Sequence, residues 1–124
     1  LRDFQQTLVR QAAIRGPQLS VIPGVTLLQD PPGALGTWPV LMIQLPDEHL
    51  RDRILGRLWG AGLGVARMFA YAIPDYDDLQ PWVSPSLVPN ARRFAACSLT
   101  ISNSPWLDDD RFNYILTVLS QHCR

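Results

Sequence analysis

The sequence contains no lysine: all eleven of its basic residues are arginine, and Glu48 is the one glutamate among eleven acidic residues. Without lysine, the chain cannot form a Schiff base through a side chain, bind phosphate through a P-loop lysine, or use lysine as a general base. The formal net charge is zero. The chain therefore lacks the strong positive charge that typifies nucleic-acid-binding domains, and we expect no nucleic-acid partner.

Long apolar runs are also missing, and cysteine is scarce. Arg57 and Arg67 interrupt the apolar region 54–73, so we expect no transmembrane helix and no membrane association. The amino terminus has no apolar signal core behind basic residues. Cys97 and Cys123 are too few for a disulfide scaffold, and we interpret them as reduced thiols of a cytoplasmic protein.

No familiar constellation for catalysis or metal binding is present. His49 and His122 lack cysteine, histidine or aspartate partners at metal-ligand spacing. The acidic segment 75–78 lacks the glycine and the distal glutamate of a calcium-binding loop. Neither a nucleophile elbow nor a dinucleotide-binding glycine motif occurs. We therefore predict no catalytic residue, no metal site and no cofactor-binding residue within this chain.

The first residues predict a helix without a start signal. Apolar residues recur at helical spacing over the first twelve positions, but no capping residue precedes them and the chain opens with Leu1. We expect this helix to end near Gly16 and Pro17, because glycine followed by proline disfavours its continuation. The uncapped start suggests the carboxy-terminal part of something longer.

The middle of the chain predicts a strand, a helix and a second strand in about thirty residues, the size of a βαβ-type crossover. Residues 38–45 are apolar at alternate and intervening positions, which predicts a central strand that is covered on both sides or deeply buried. Asp47 should cap the helix and pair with Arg51, which is expected to face water. Residues 65–69 form the second predicted strand. The expected buried stripe of the helix is Leu50, Ile54, Leu55 and Leu58.

The remainder predicts a long loop and three short elements. Residues 70–89 contain four prolines, an acidic group and Trp82, and a loop of this length is usually functional. It could pack as a lid on the domain or contact another domain or subunit. A helix at 91–97, a strand at 99–102 and a final helix capped by aspartates 108–110 follow. The fold class is thus α/β (α+β), with a small sheet of three or four strands packed against helices.

The order of these segments resembles the carboxy-terminal small domain of the DegT/DnrJ/StrS-type sugar aminotransferases. These are pyridoxal-phosphate (PLP) enzymes of the aspartate aminotransferase fold (fold type I). The resemblance covers nearly the whole chain, and its most specific piece is Gly64-Val65-Ala66-Arg67, which is similar to the family's Gly-Ile-x-Thr-Arg strand. The other matching pieces are the first helix with Arg10 and Arg15, then Ile22-Pro23-Gly24-Val25, Trp38-Pro39-Val40-Leu41, Leu50-Arg51-Asp52-Arg53, Pro89-Asn90-Ala91 and Ser98-Leu99.

The resemblance implies an inter-domain connecting helix at residues 1–16 and a small domain at 17–124. It implies a large PLP-binding domain that carries the cofactor's lysine, and a homodimer when the enzyme is intact. Arg67, Tyr71 and Tyr76 are the residues that we expect to bind substrate: Arg67 suits a phosphate or carboxylate, and the tyrosines offer stacking or a hydroxyl contact. Residues 72–75 lack the histidine that the family often carries there, and Thr100 replaces the proline of its Leu-Pro signature.

Three hypotheses of function follow. The first is the non-catalytic carboxy-terminal domain of a PLP-dependent aminotransferase that acts on keto-sugar nucleotides, in which this chain completes the substrate pocket. The second is a free-standing α/β binding or protein-interaction module without enzyme activity, because fold likeness alone does not carry function. The third is a regulatory fragment of a different enzyme with the aspartate aminotransferase fold.

Overall fold

The computed structural model describes residues 1–123, which fold into four α-helices and one four-stranded sheet. The helices are α1 (Arg2–Ser20), α2 (Glu48–Gly60), α3 (Pro89–Cys97) and α4 (Asp109–His122). The strands are β1 (Thr26–Leu27), β2 (Val40–Gln44), β3 (Val65–Ala66) and β4 (Ser98–Ser102). The predicted α+β class and the small sheet are confirmed.

The sheet has the order β1-β2-β4-β3, and every neighbouring pair is antiparallel. Strands β2 and β3 therefore run in the same direction, as a βαβ-type connection through α2 requires. They are not neighbours, however, because β4 from later in the chain lies between them. The predicted crossover is thus a split βαβ unit, and the second predicted strand is only two residues long.

The core lies against one face of this sheet. Leu41 opposes Ile101 and Ile43 opposes Leu99 across β2 and β4, and all four side chains are fully buried. Strand β2 lies between β1 and β4, which confirms the predicted central position. Its intervening residues, such as Met42, are half-buried, so the second face of the strand is only partly covered. Helices α1, α2 and α4 complete the same core, chiefly through Leu19, Ile54, Leu58, Phe112, Ile115 and Leu119.

Aspartate caps fix where two of the helices begin. The Asp47 carboxylate accepts a hydrogen bond from the Leu50 amide at 2.8 Å, and Asp108 accepts one from the Arg111 amide at the same distance. Such caps stabilise a helix by about 1 kcal/mol each. Both helix starts were predicted, and both predictions are confirmed.

Helix α1 does not end at Gly16 and Pro17 but continues to Ser20, so that prediction is wrong. Proline removes one helical donor, which leaves the carbonyl of Ala13 without its usual partner. Ala13 and Pro17 are both exposed, so water can satisfy that carbonyl. Continuing the helix buries Leu19 completely, which favours the longer helix.

Arg51 was predicted to face water and to pair with Asp47; instead its side chain is fully buried. Its guanidinium donates to the backbone carbonyls of Ala95 at 3.0 Å and Ser98 at 3.4 Å. It also contacts the half-exposed carboxylates of Asp52 at 2.6 Å and Glu48 at 3.3 Å. These bonds explain how the charge can be buried, since each polar group that leaves water finds a partner. Arg51 thereby joins α2 to the end of α3 and the start of β4.

Two further buried polar side chains fasten α1 to the rest of the fold. The Asn103 amide donates to the carbonyls of Leu8 and Trp38, both at 2.8 Å. Arg15 donates to the Leu107 carbonyl, and its guanidinium lies 4.8 Å from the centre of the Phe112 ring. Helix α1 is therefore packed and hydrogen-bonded onto the sheet and α4.

Candidate functional site

Residues 67–88, here called the 67–88 segment, connect β3 to α3 and lie largely outside the core. The segment contains two short 3₁₀ turns, Ile73–Asp75 and Asp77–Leu79. All of its residues are described, and Ala72 alone among them is buried. The predicted long connection is present and its backbone is organised by local turns.

The three residues predicted to bind substrate lie together at the start of this segment; we call them the Arg67 cluster. The Arg67 guanidinium carbon is 5.5 Å from the centre of the Tyr71 ring. The Tyr71 and Tyr76 rings meet edge to face, with centroids 5.4 Å apart and an interplanar angle of 83°. Tyr71 is 56% exposed, whereas Arg67 and Tyr76 are half-buried.

The Arg67 cluster combines a cation with two aromatic rings at an accessible place. Strand β3 ends at Ala66, so the backbone of Arg67 follows directly from the sheet. In the part of the chain that the structure describes, no carboxylate lies within ion-pair distance of Arg67. Its planar donors are therefore free to bind a phosphate or carboxylate in two-point fashion. The tyrosines can stack on a planar group or donate a hydroxyl.

A second feature of the segment was not predicted from the sequence: an ion pair between Asp75 and Arg92 of α3. Arg92 Nε lies 2.8 Å from Asp75 Oδ2, and Arg92 Nη2 lies 2.7 Å from Oδ1. Hydrogen bonding to Arg92 lowers the pKa of Asp75, and the same bond raises the pKa of Arg92. The two residues are seventeen positions apart, a separation that matches no helix or strand period, so no sequence pattern marks the pair.

Seven large apolar side chains of the segment are exposed to solvent. Trp82 is 85% exposed, so it does not pack as a lid on this domain. Exposed aromatic and aliphatic side chains favour contact with another protein surface. The exposed large apolar residues of the segment are Met68, Phe69, Tyr71, Ile73, Leu79, Trp82 and Leu87.

Another concave region lies between α1 and the loop before β2. This groove encloses about 630 Å³ and is lined by apolar groups that include Val9, Leu27 and Trp38. Trp38 has a φ of 54°, which is unusual for a residue other than glycine. Most of the lining is apolar, and nothing in it resembles a reactive set.

The remaining candidate ligands and thiols form no site. His49 is exposed, and the His122 ring nitrogen Nδ1 lies 2.8 Å from the Val118 carbonyl in its own helix. Within residues 1–123, no group of three or more histidine, cysteine, aspartate or glutamate residues could hold a metal ion. Cys97 and Cys123 are free and buried, and burial raises the pKa of the Cys123 thiol. Over the same residues, no helix has the length and apolarity needed to span a bilayer.

Comparison with solved structures shows that this is the fold of the small domain of PLP-dependent aminotransferases. One similar structure is a DegT DnrJ EryC1 StrS aminotransferase from Brucella abortus, with 18% identity and a TM-score of 0.77 over 98% of this chain and 32% of that chain. Another is DesI with its TDP-sugar product, with 18% identity and a TM-score of 0.81 over 97% of this chain and 31% of that chain.

A third similar structure is Spr1654 from Streptococcus pneumoniae, described as a sugar aminotransferase and solved in its PLP form. It shares 13% identity and a TM-score of 0.83 over 98% of this chain and 32% of that chain. This chain therefore spans about a third of the length of these proteins. No family model and no curated protein sequence matches it. The resemblance inferred from the order of segments is confirmed at the level of the fold.

Proposed function

We propose that this chain is the non-catalytic small domain of a PLP-dependent aminotransferase that acts on keto-sugar nucleotides. The observation that carries the proposal is the Arg67 cluster, set on the fold of that domain at the end of β3. A nucleotide sugar offers a diphosphate, which suits the Arg67 guanidinium, and rings that suit the tyrosines. The domain would supply one wall of the substrate pocket and no reacting group.

The residues of this chain do not suit PLP as a covalently held cofactor. PLP supplies the electron sink for amino-group transfer and is held through the amine of a lysine, and this sequence has none. In the proposed arrangement, residues 1–16 connect to a large domain that carries the lysine, and residues 17–124 form the small domain. The proposed protein is cytoplasmic, in keeping with two free buried thiols.

The proposed partners are the large domain and a second copy of the intact enzyme. The apolar side chains of the 67–88 segment support such contacts, since Trp82 and Leu87 are almost fully exposed in the chain by itself. A free-standing interaction module would present a similar surface. Binding behaviour, rather than surface composition, therefore separates these two hypotheses.

The substrate role is tested on the intact protein that contains this chain, with a TDP-sugar as substrate. Replacing Arg67 with alanine removes a charged hydrogen-bond donor to the substrate. We therefore expect KM to rise about tenfold or more. Arg93→Ala is the matched control, because Arg93 is exposed on α3 and has no ion-pair partner among the described residues. Equal KM values for the two variants would contradict the proposal.

A second test uses the chain alone. Half of the proposed pocket is missing, so titration with a TDP-sugar should change tryptophan fluorescence weakly or not at all. Added PLP should leave no lasting protein-bound absorbance band, because the chain has no lysine. Tight binding of the TDP-sugar by the chain alone would favour the free-standing module instead.

A further inference from the structure

The 67–88 segment makes few side-chain contacts with the sheet and helices, so each of these contacts contributes to its position. Its one buried residue is Ala72. Side chains of α3 hold the segment at two points: Phe94 packs against Phe69 with ring centroids 5.6 Å apart, and Arg92 pairs with Asp75. The aromatic contact lies at the beginning of the segment, and the ion pair lies beside the Arg67 cluster.

The geometry of the Asp75–Arg92 pair is that of a two-point clamp. Two guanidinium nitrogens meet two carboxylate oxygens at 2.7 and 2.8 Å, and the side chains are 44% and 30% exposed for Arg92 and Asp75. Two parallel bonds fix the relative orientation of the planar groups, whereas a single contact leaves rotation free. The pair therefore defines both the position and the direction of the Asp75 side chain.

Asp75 lies at the point where the backbone leads into the second tyrosine of the Arg67 cluster. It ends the first 3₁₀ turn, with its amide bonded to the Ala72 carbonyl at 2.9 Å, and the next residue is Tyr76. The Tyr76 ring packs edge to face with the ring of Tyr71, which lies beside Arg67. Fixing Asp75 consequently fixes the path by which Tyr76 reaches Tyr71.

We propose that the Asp75–Arg92 pair is a positioning latch that holds the first 3₁₀ turn on α3 and so keeps Tyr71 and Tyr76 assembled beside Arg67. This proposal depends on the proposed function in one respect only, namely the ligand that the assembled cluster binds. Neither latch residue needs to touch the ligand. Opening the pair leaves the sheet and helices intact but lets the turn move away from α3.

The latch is tested by hydrogen exchange on the chain itself. In Arg92→Ala, the Asp75 and Leu79 amides should exchange about 2- to 5-fold faster, the range expected for loss of a partly exposed ion pair. The Leu45 amide, bonded to Cys97 next to the sheet, should exchange at an unchanged rate. Arg93→Ala is the matched control, and it should leave all three rates unchanged. Added salt should speed turn exchange in the parent chain more than in Arg92→Ala.

Swapping the two charged residues separates the effect of this particular pair from a general effect of losing an arginine. Asp75→Arg and Arg92→Asp should each loosen the turn and weaken the Tyr71–Tyr76 contact seen as a nuclear Overhauser effect. The double variant, which carries both substitutions, should bring the amide exchange rates and the Tyr71–Tyr76 nuclear Overhauser effect back toward those of the parent chain. The latch is overturned if the turn amides of the single variants exchange hydrogen at the same rates as those of Arg93→Ala. It is also overturned if the double variant restores neither the exchange rates nor the Tyr71–Tyr76 contact.

Failure of the latch and failure of the proposed function give different results. If Arg92→Ala loosens the turn but Arg67→Ala leaves the KM of the intact protein for a TDP-sugar unchanged, the latch stands and the substrate role of the cluster fails. If Arg67→Ala raises KM while Arg92→Ala loosens nothing, the substrate role stands and the latch is wrong. With both correct, Arg92→Ala should raise KM about 2- to 5-fold and leave kcat nearly unchanged.

Discussion

Arg51 and Arg92 both bind carboxylates, but they belong to regions built in opposite ways. Arg51 is fully buried and also holds two backbone carbonyls at the junction of α3 and β4. Arg92 lies 44% exposed on α3 and holds one aspartate of the 67–88 segment. The first arginine has become part of the core, whereas the second attaches a segment that has almost no core of its own. The residues that stabilise the core and the residues proposed to bind substrate thus lie in different parts of this small fold.

The largest loss of stability is expected when Arg51 is removed. Arg51→Ala would leave the Ala95 and Ser98 carbonyls without their donor and create a cavity, so the free energy of unfolding should fall by about 3 kcal/mol. Urea unfolding followed by circular dichroism measures the loss. Arg53→Ala is the matched control, since Arg53 is exposed on the same helix. A difference below about 0.5 kcal/mol between the two variants would show that the buried charge is not structural.

A smaller loss of stability is expected at the two glycines before β3, shortly before the chain enters the 67–88 segment. Gly62 and Gly64 both have positive φ, at 69° and 64°, and both precede β3. A Cβ at Gly64 would lie 3.0 Å from the Ser102 Cβ, whereas one at Gly62 would meet nothing within 4 Å. Gly62→Ala should therefore cost about 1 kcal/mol from backbone strain alone, and Gly64→Ala about 2 kcal/mol.

Thermal or urea unfolding of both glycine variants separates the backbone strain from the clash. The excess cost of Gly64→Ala should shrink when Ser102 is replaced by glycine, because the opposing Cβ is then gone. Equal costs for the two alanine variants would mean that β3 and β4 can separate slightly without loss. The short strand that carries the chain into Arg67 would then be less firmly set than the distances indicate.

The sequence predicts the body of this protein well because local chemistry determines it. Asp47 and Asp108 are capping residues followed by apolar residues at helical spacing, and both helices start where these signals lie. Strand β4 likewise coincides with an alternating segment. The two wrong predictions concern tertiary context. The charge of Arg51 favours an exposed position, but its partners Ala95 and Ser98 are contributed by distant residues. Gly16 and Pro17 favour the end of α1, but the burial of Leu19 favours its continuation.

The candidate site was predicted only in part, for a related reason. Arg67 ends a stretch that carries the resemblance, and Tyr71 and Tyr76 follow within ten residues with side chains suited to stacking, so sequence reasoning could single out all three. Asp75 and Arg92 belong to different elements, and only the folded chain shows that they meet. Residues 72–75 contain no histidine, and Asp75 in that region pairs with Arg92 of α3.

The smallest stability effect is expected at the most conspicuous aromatic residue. Trp82 is 85% exposed, so Trp82→Ala should change the free energy of unfolding by less than about 0.5 kcal/mol. Phe112→Ala is the contrasting control: this ring is 2% exposed in the core, and its loss should cost about 3 to 5 kcal/mol. Urea unfolding of both variants makes the measurement. A large loss in Trp82→Ala would mean that the 67–88 segment stabilises the fold directly. A negligible loss would instead leave Trp82 available for a contact outside this chain.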